Sequence, residues 1–179
     1  LVSDENILKR TEEEKFPLWE KLLYLSKKHR RFPDAKWVLP EQSITRIEDV
    51  VKSLEPQKAS LAYIPYFSYR VHDIMPYKTG DEKSYKETEK LILQIQEDAT
   101  KKIWSEEQTT GLIEFAKKRD TPSAVGVATA KWFSIDQSKE LLEMCLSSSD
   151  QQTILFINGF ILVKYCSEGE RWVTKLDIT

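Results

Sequence analysis

The sequence predicts an α+β fold that is mostly helical and ends in a small antiparallel sheet. Apolar residues recur at three- and four-residue steps through most of the chain, which is the spacing of amphipathic helices. From Thr153 to Ile178 the pattern changes, because Asn158-Gly159 lies between two runs rich in β-branched and aromatic residues. Such a pair is typical of a type I′ hairpin turn. A second turn at residues 167–170 then predicts a three-stranded antiparallel meander.

Length and composition allow a core that needs neither disulfides nor a structural metal. The chain has 179 residues and a net charge of −2, so its overall field would not attract nucleic acid or acidic membrane. The cysteines, Cys145 and Cys166, lie in apolar contexts, which predicts buried free thiols in a reducing compartment. No run reaches the length of a membrane span, so we expect an intracellular protein that does not bind membrane.

The N-terminal part, residues 1–83, is expected to be helical and irregular. Residues 1–15 are highly charged and predict a loose lead-in, after which Pro17 suits the first turn of a helix that runs to about Lys28. A second apolar stripe at residues 44–54 predicts a short helix that Pro56 terminates. These helices are expected to pack on the C-terminal part.

Two segments without a clear period follow the second helix. Residues 61–77 combine prolines with several tyrosines, which predicts an irregular segment with one short strand at residues 67–71. Residues 76–83 include Pro76 and Gly80 and predict a linker. The expected domain boundary therefore falls between residues 83 and 84.

The C-terminal part, residues 84–179, opens with a series of helix starts. A capping residue followed three positions later by Glu or Gln, or directly by proline, marks the beginning of a helix. Such starts are Ser84 with Glu87, Ser105 with Gln108, Thr121 with Pro122, and Ser134 with Gln137. The first of these helices is expected to reach Trp104, where the chain breaks and restarts.

The order of these elements resembles the winged-helix superfamily of helix-turn-helix domains. Three helices between Ser105 and Ser147 precede the strands, and the tight corner Trp132-Phe133-Ser134 joins the last two helices. The resemblance implies a winged-helix-like domain in which residues 135–146 occupy the place of the recognition helix. The chain departs from the family pattern because its three strands are consecutive.

The helix at residues 135–146 is acidic. Its expected exposed residues are Asp136, Gln137, Lys139, Glu140 and Glu143, so duplex DNA would repel it. Many winged-helix domains serve instead as protein-docking modules. The resemblance therefore implies a non-enzymatic module that binds other protein subunits of a nuclear transcription, replication or chromatin assembly. Its partner-binding residues would be Gln137, Lys139 and Glu143.

A basic cluster in the N-terminal part supports an alternative function. Lys27, Lys28, Arg30 and Arg31, with Lys36 nearby, form the densest group of cations in the chain. They could bind phosphates of DNA or RNA, or form part of a nuclear import signal. They could equally be a solvated helix end, where cations favour the C-terminal dipole.

The sequence contains no pattern that predicts an enzyme. His29 and His72 have no Cys, Ser or carboxylate at a recognised catalytic spacing, although a concave site around His72 and Asp73 would change that interpretation. No zinc, phosphate-loop or dinucleotide motif occurs. We therefore expect no cofactor and no metal.

Overall fold

The computed structural model describes residues 9–76 and 82–176, and all regular structure in those ranges is helical. The helices are α1 (Glu12–Arg31), α2 (Glu41–Ser53), α3 (Ala59–Ala62), α4 (Val71–Ile74), α5 (Glu82–Lys117), α6 (Pro122–Ala130), α7 (Ile135–Cys145), α8 (Gln151–Glu168) and α9 (Glu170–Leu176), with a 3-10 turn at Ile64–Phe67. Because the described residues contain no β-strand, the predicted α+β fold is wrong.

The predicted meander at Thr153 to Ile178 is replaced by α8 and α9, and Asn158-Gly159 lies in the middle of α8. The reason is close helix packing. A methyl group added to Gly159 would overlap the carbonyl oxygen of Ser123, at the start of α6, and one added to Gly126 of α6 would overlap the carbonyl oxygen of Phe156. Glycine at residue 159 therefore permits helix contact, and it does not form a hairpin turn.

The second predicted turn marks a helix boundary. Gly169 adopts a left-handed φ of 63°, and its N–H donates to the carbonyl of Tyr165, which ends α8 as glycine often ends helices. With no sheet in the described residues, the winged-helix architecture implied by the resemblance is also wrong. The strand predicted at residues 67–71 is replaced by the end of a 3-10 turn and the start of α4.

The chain divides into two compact units. Unit 1 consists of the described residues of Leu1–Pro65 and Arg70–Ile92, and unit 2 consists of those of Tyr66–Tyr69 and Leu93–Thr179. The long helix α5 contributes residues to both. The predicted linker at residues 76–83 falls largely outside the described residues, and the boundary at residue 83 stays a prediction.

Unit 1 is built on α1, whose buried residues include Trp19 and Leu23 and which packs against α2, α3 and α4. The helix begins at Glu12, because Thr11 and Glu14 form a reciprocal capping box. The loose lead-in predicted for residues 1–15 is therefore wrong for residues 12–15, which are helical, and Pro17 lies inside the helix. Helix α2 confirms the helix predicted at residues 44–54.

Unit 2 confirms several of the predicted helix starts. Pro122 begins α6, and Ser134 and Gln137 form the predicted capping box of α7. The predicted break near Trp104 occurs a few residues later, at Gln108, which has φ 57° and ψ −164° inside α5. Ser105 caps no new helix, because its hydroxyl donates to the carbonyl of Lys102.

The two cysteines differ in environment, and both are free. Cys145 is buried, as predicted, and burial raises the pKa of its thiol to about 11. Cys166 is exposed on α8, so the prediction that it is buried is wrong. The error follows from the missing strand, because a residue placed at a strand end lies here on the outer side of a helix.

Candidate interaction surfaces

The outer side of α8 is apolar and exposed. Leu162 and Tyr165 retain 62% and 51% of their accessible surface, and Ile154 and Leu155 each retain 40%. The exposed Asn158 lies among them, and we call these five residues the α8 face. No charged residue occurs between Asp150 and Lys164, so the α8 face carries no charge.

The inner side of the same helix belongs to the core of unit 2. Phe156 and Phe160 are fully buried, and the ring of Phe160 makes edge contacts with Phe133 and Trp172. Helix α8 is therefore largely apolar on its exposed side as well as on its buried side. A helix of this composition is normally buried on every side. Contiguous exposed apolar surface on a protein marks sites of interaction.

Polar contacts occur at both ends of α8, and the contact from Lys164 to Phe133 joins the helix to another part of unit 2. At its start, the backbone N–H and hydroxyl of Thr153 donate to Asp150 Oδ2 at 2.8 and 2.6 Å, and these bonds lower the pKa of Asp150. Near its end, the buried Lys164 donates from Nζ to the carbonyl of Phe133 at 2.7 Å and to Glu168 at 3.1 Å. The bond from Lys164 to Phe133 and the packing of the buried side together leave the α8 face exposed to solvent.

The residues predicted to bind a partner lie on α7, and they differ in solvent exposure and in the hydrogen bonds that they form. The side chain of Gln137 accepts from the backbone N–H of Ser134 at 2.8 Å, as part of the capping box. Lys139 is half-buried, and Glu143 is exposed. Gln137 therefore serves the start of the helix, and Glu143 is the member of the set that faces solvent most openly.

The basic cluster at the end of α1 is partly neutralised by carboxylates. The guanidinium of Arg30 contacts Glu48 at 2.9 and 2.7 Å and Glu41 at 2.7 and 2.8 Å, which joins α1 to α2. The hydrogen bonds that Arg30 donates to Glu48 and to Glu41 raise the pKa of Arg30, and the bond that Glu48 accepts from Arg30 lowers the pKa of Glu48. The side chain of Arg30 therefore holds α1 and α2 together.

The other cations of the cluster differ in exposure and in the groups that they contact. Arg31 is half-buried, donates to the carbonyl of His72 at 3.1 Å and lies 3.9 Å from a carboxylate oxygen of Asp73. The ammonium of Lys28 lies 5.0 Å from the ring centre of Trp37, whereas Lys27 and Lys36 are exposed. A groove of about 350 Å³ beside the cluster is lined by Glu20, Lys21, Tyr24, Leu25, Lys28 and Arg70.

Both histidines have contacts that suit structural roles. Nδ1 of the buried His29 accepts from the backbone N–H of Leu39 at 3.2 Å. Nε2 of His72 lies 3.1 Å from Glu89, and its ring stacks on Tyr85. Within residues 9–76 and 82–176, no three His, Cys, Asp or Glu side chains converge as metal ligands would.

Comparison with protein-family models, curated proteins and solved structures finds no match to this chain. Among the described residues, no helix combines the length and apolar character needed to cross a bilayer.

Sequence reasoning missed the α8 face. The local pattern of the stretch predicts strands, and in a strand these residues would alternate between two sides. A usable signal was nonetheless present, because Leu155, Asn158, Leu162 and Tyr165 follow one another at steps of three, four and three residues. Asp150 followed three residues later by Thr153 could also have indicated a helix start.

Proposed function

We propose that this chain is a non-enzymatic protein-interaction module that contacts its partner through the α8 face. The observation that carries the proposal is an exposed, uncharged, apolar surface on a helix whose opposite side is part of the core. Because the α8 face offers no charge, a partner must supply apolar surface of its own. The partner is accordingly another protein rather than a polyanion.

The proposed surface differs from the one expected on α7. Gln137 is engaged in its capping box, and the predicted role of Gln137, Lys139 and Glu143 in docking stays a prediction. The nuclear location expected from the winged-helix resemblance likewise stays a prediction. The proposed function is still protein docking, but the surface proposed for it lies on α8, the helix that follows α7.

We expect Leu162→Glu to abolish partner binding while the fold is kept. Leu162 is the most exposed apolar side chain of the α8 face, and a carboxylate there would have to be buried at the interface. The measurement is isolation of bound proteins from the native cell, followed by calorimetric titration of each purified partner. Binding should weaken at least about 100-fold, because a buried unpaired charge costs several kcal/mol.

The matched control is Leu91→Glu, which places the same charge on an exposed leucine of α5. It should bind the purified partner as the wild-type protein does. The proposal fails if both variants retain the same partners with unchanged affinity.

A second candidate function is binding of DNA or RNA phosphates by the basic cluster. The groove lined in part by Lys21 and Lys28 favours it, as does the exposure of Lys27 and Lys36, whereas Arg70 in the same groove donates to Asp73 at 3.1 Å. Against it, Arg30 is fully engaged with Glu41 and Glu48, and Arg31 is half-buried beside Asp73. The field available for phosphates is therefore much weaker than the sequence cluster implies.

Fluorescence anisotropy with labelled duplex and single-stranded DNA and RNA at about 50 mM salt tests this alternative. If the cluster binds phosphates, Lys27→Glu combined with Lys28→Glu should remove a salt-sensitive affinity. The control, Lys52→Glu combined with Lys102→Glu, changes the net charge equally at exposed sites elsewhere. Absence of binding by the wild-type protein rejects the alternative.

A further inference from the structure

We propose that the partner of the α8 face is a second copy of this chain, paired through α8 in parallel about a two-fold axis. The inference rests on the proposed function, because it names the occupant of the same surface. It follows from three properties of the α8 face: its spacing, its polar residue and its lack of charge.

The spacing of the α8 face is that of a coiled-coil seam. Leu155, Asn158, Leu162 and Tyr165 are separated by three, four and three residues, and Gln151 extends the repeat by four residues in the other direction. A repeat of this kind forms a narrow seam that fits a similar seam on another helix. Ile154 and Ile161 border the seam on one side. A helix is therefore the shape of partner that fits it.

Asn158 favours a partner that is identical and parallel. Its side chain lies in the middle of the seam, where a purely apolar partner would bury the amide without hydrogen bonds. A carboxamide both donates and accepts, so two Asn158 side chains that face each other across a two-fold axis can satisfy one another. A single polar residue at an a position of a coiled coil is known to fix register at a cost in stability, and Asn158 occupies the neighbouring d position of this repeat. Only the parallel pairing brings Asn158 opposite itself together with Leu155 and Leu162 opposite themselves.

The charge distribution agrees with self-association. Two copies of an uncharged face meet without like-charge repulsion, whereas a charged partner would find no counter-charge between Asp150 and Lys164. The helix is 18 residues long, or about 27 Å at 1.5 Å per residue. An interface of one helix pair is small, so the dimer should be in exchange with monomer.

Analytical ultracentrifugation of the purified chain over a wide concentration range tests the pairing. The wild-type protein and Leu91→Glu should show the same monomer–dimer equilibrium. Leu162→Glu should weaken it at least about 100-fold, because each dimer would bury two carboxylates of like charge. Tyr165→Glu serves as a second variant if circular dichroism shows that Leu162→Glu is unfolded. Asn158→Gln should preserve the dimer, whereas Asn158→Asp should weaken it.

Disulfide trapping tests the orientation. In a Cys166→Ser background, Leu155→Cys and Leu162→Cys are each oxidised separately and examined for covalent dimers. The parallel pair joins equal residue numbers, so both variants should cross-link. An antiparallel pair can bring equal residues together at one point only. Cross-linking of one variant alone, or of neither, overturns the proposed arrangement.

The outcomes also separate this inference from the proposed function. A wild-type chain that stays monomeric at every concentration, but binds a different purified protein in a Leu162-dependent manner, overturns self-pairing and leaves the docking function standing. A chain in which Leu162→Glu changes neither the oligomeric state nor any partner binding overturns both.

Discussion

Gly159→Val is expected to lower the free energy of unfolding by roughly 3 kcal/mol, the upper part of the range for inserting volume into a packed core. The first added carbon would overlap the carbonyl oxygen of Ser123 and lie 3.0 Å from its carbonyl carbon. Because these atoms belong to the backbone of the first turn of α6, relief requires α6 and α8 to separate. Chemical denaturation followed by circular dichroism measures the loss.

The matched control is Cys166→Val, which introduces the same β-branched side chain at an exposed position of α8. It carries the modest helix-propensity cost of valine without any steric overlap, so its effect should stay below about 1 kcal/mol. If Gly159→Val and Cys166→Val unfolded at the same denaturant concentration, then α6 and α8 would not pack closely.

Phe160→Ala is expected to destabilise the protein by about 3–5 kcal/mol, the usual range for removing a buried phenyl ring. The ring is fully buried and touches Phe133, at the corner between α6 and α7, and Trp172 of α9. Its removal leaves a cavity bordered by two large aromatic side chains that cannot both collapse into it. The free energy of unfolding from denaturant titration is the measurement.

Tyr165→Ala provides the comparison within the same helix. Tyr165 is half-exposed on the α8 face, so truncating it removes little burial and should change stability by less than about 0.5 kcal/mol at dilute protein concentration. The two substitutions together locate the buried side of α8. A meander would instead bury alternate residues along the stretch, and a large effect at Tyr165 with a small one at Phe160 would contradict the helix.

Local signals predicted the helices whose ends are determined locally. The stripe of α2 and the capping box of Ser134 and Gln137 are each contained within about one dozen residues, and both were predicted correctly. The same kind of reasoning failed at α8, where Asn158-Gly159 and the β-branched residues favour a hairpin over short range. The need for glycine at residue 159 comes from the backbone of α6, which lies far away in the sequence.

The candidate site was missed for a related reason. The spacing of Leu162 and Tyr165 can place them on one side of a helix, but their exposure depends on which side of α8 the other helices cover. The cluster from Lys27 to Arg31 is visible in the sequence, but the ion pairs that Arg30 forms are not. The carboxylates that neutralise Arg30 lie on the following helix, and pairing between them could not be inferred from composition.

The non-helical residue Gln108 affects how α5 unfolds. Helices fray from their ends, and an interrupted ladder of backbone hydrogen bonds supplies two additional ends within α5. The segment beyond it, residues 109–117, is shorter than a peptide that holds helical form alone in water. It keeps its form because Leu112, Phe115 and Ala116 are anchored in the core. That last portion therefore depends on its neighbours for its helical form, and it should melt together with the rest of unit 2, to which residues 93–107 of the same helix also belong.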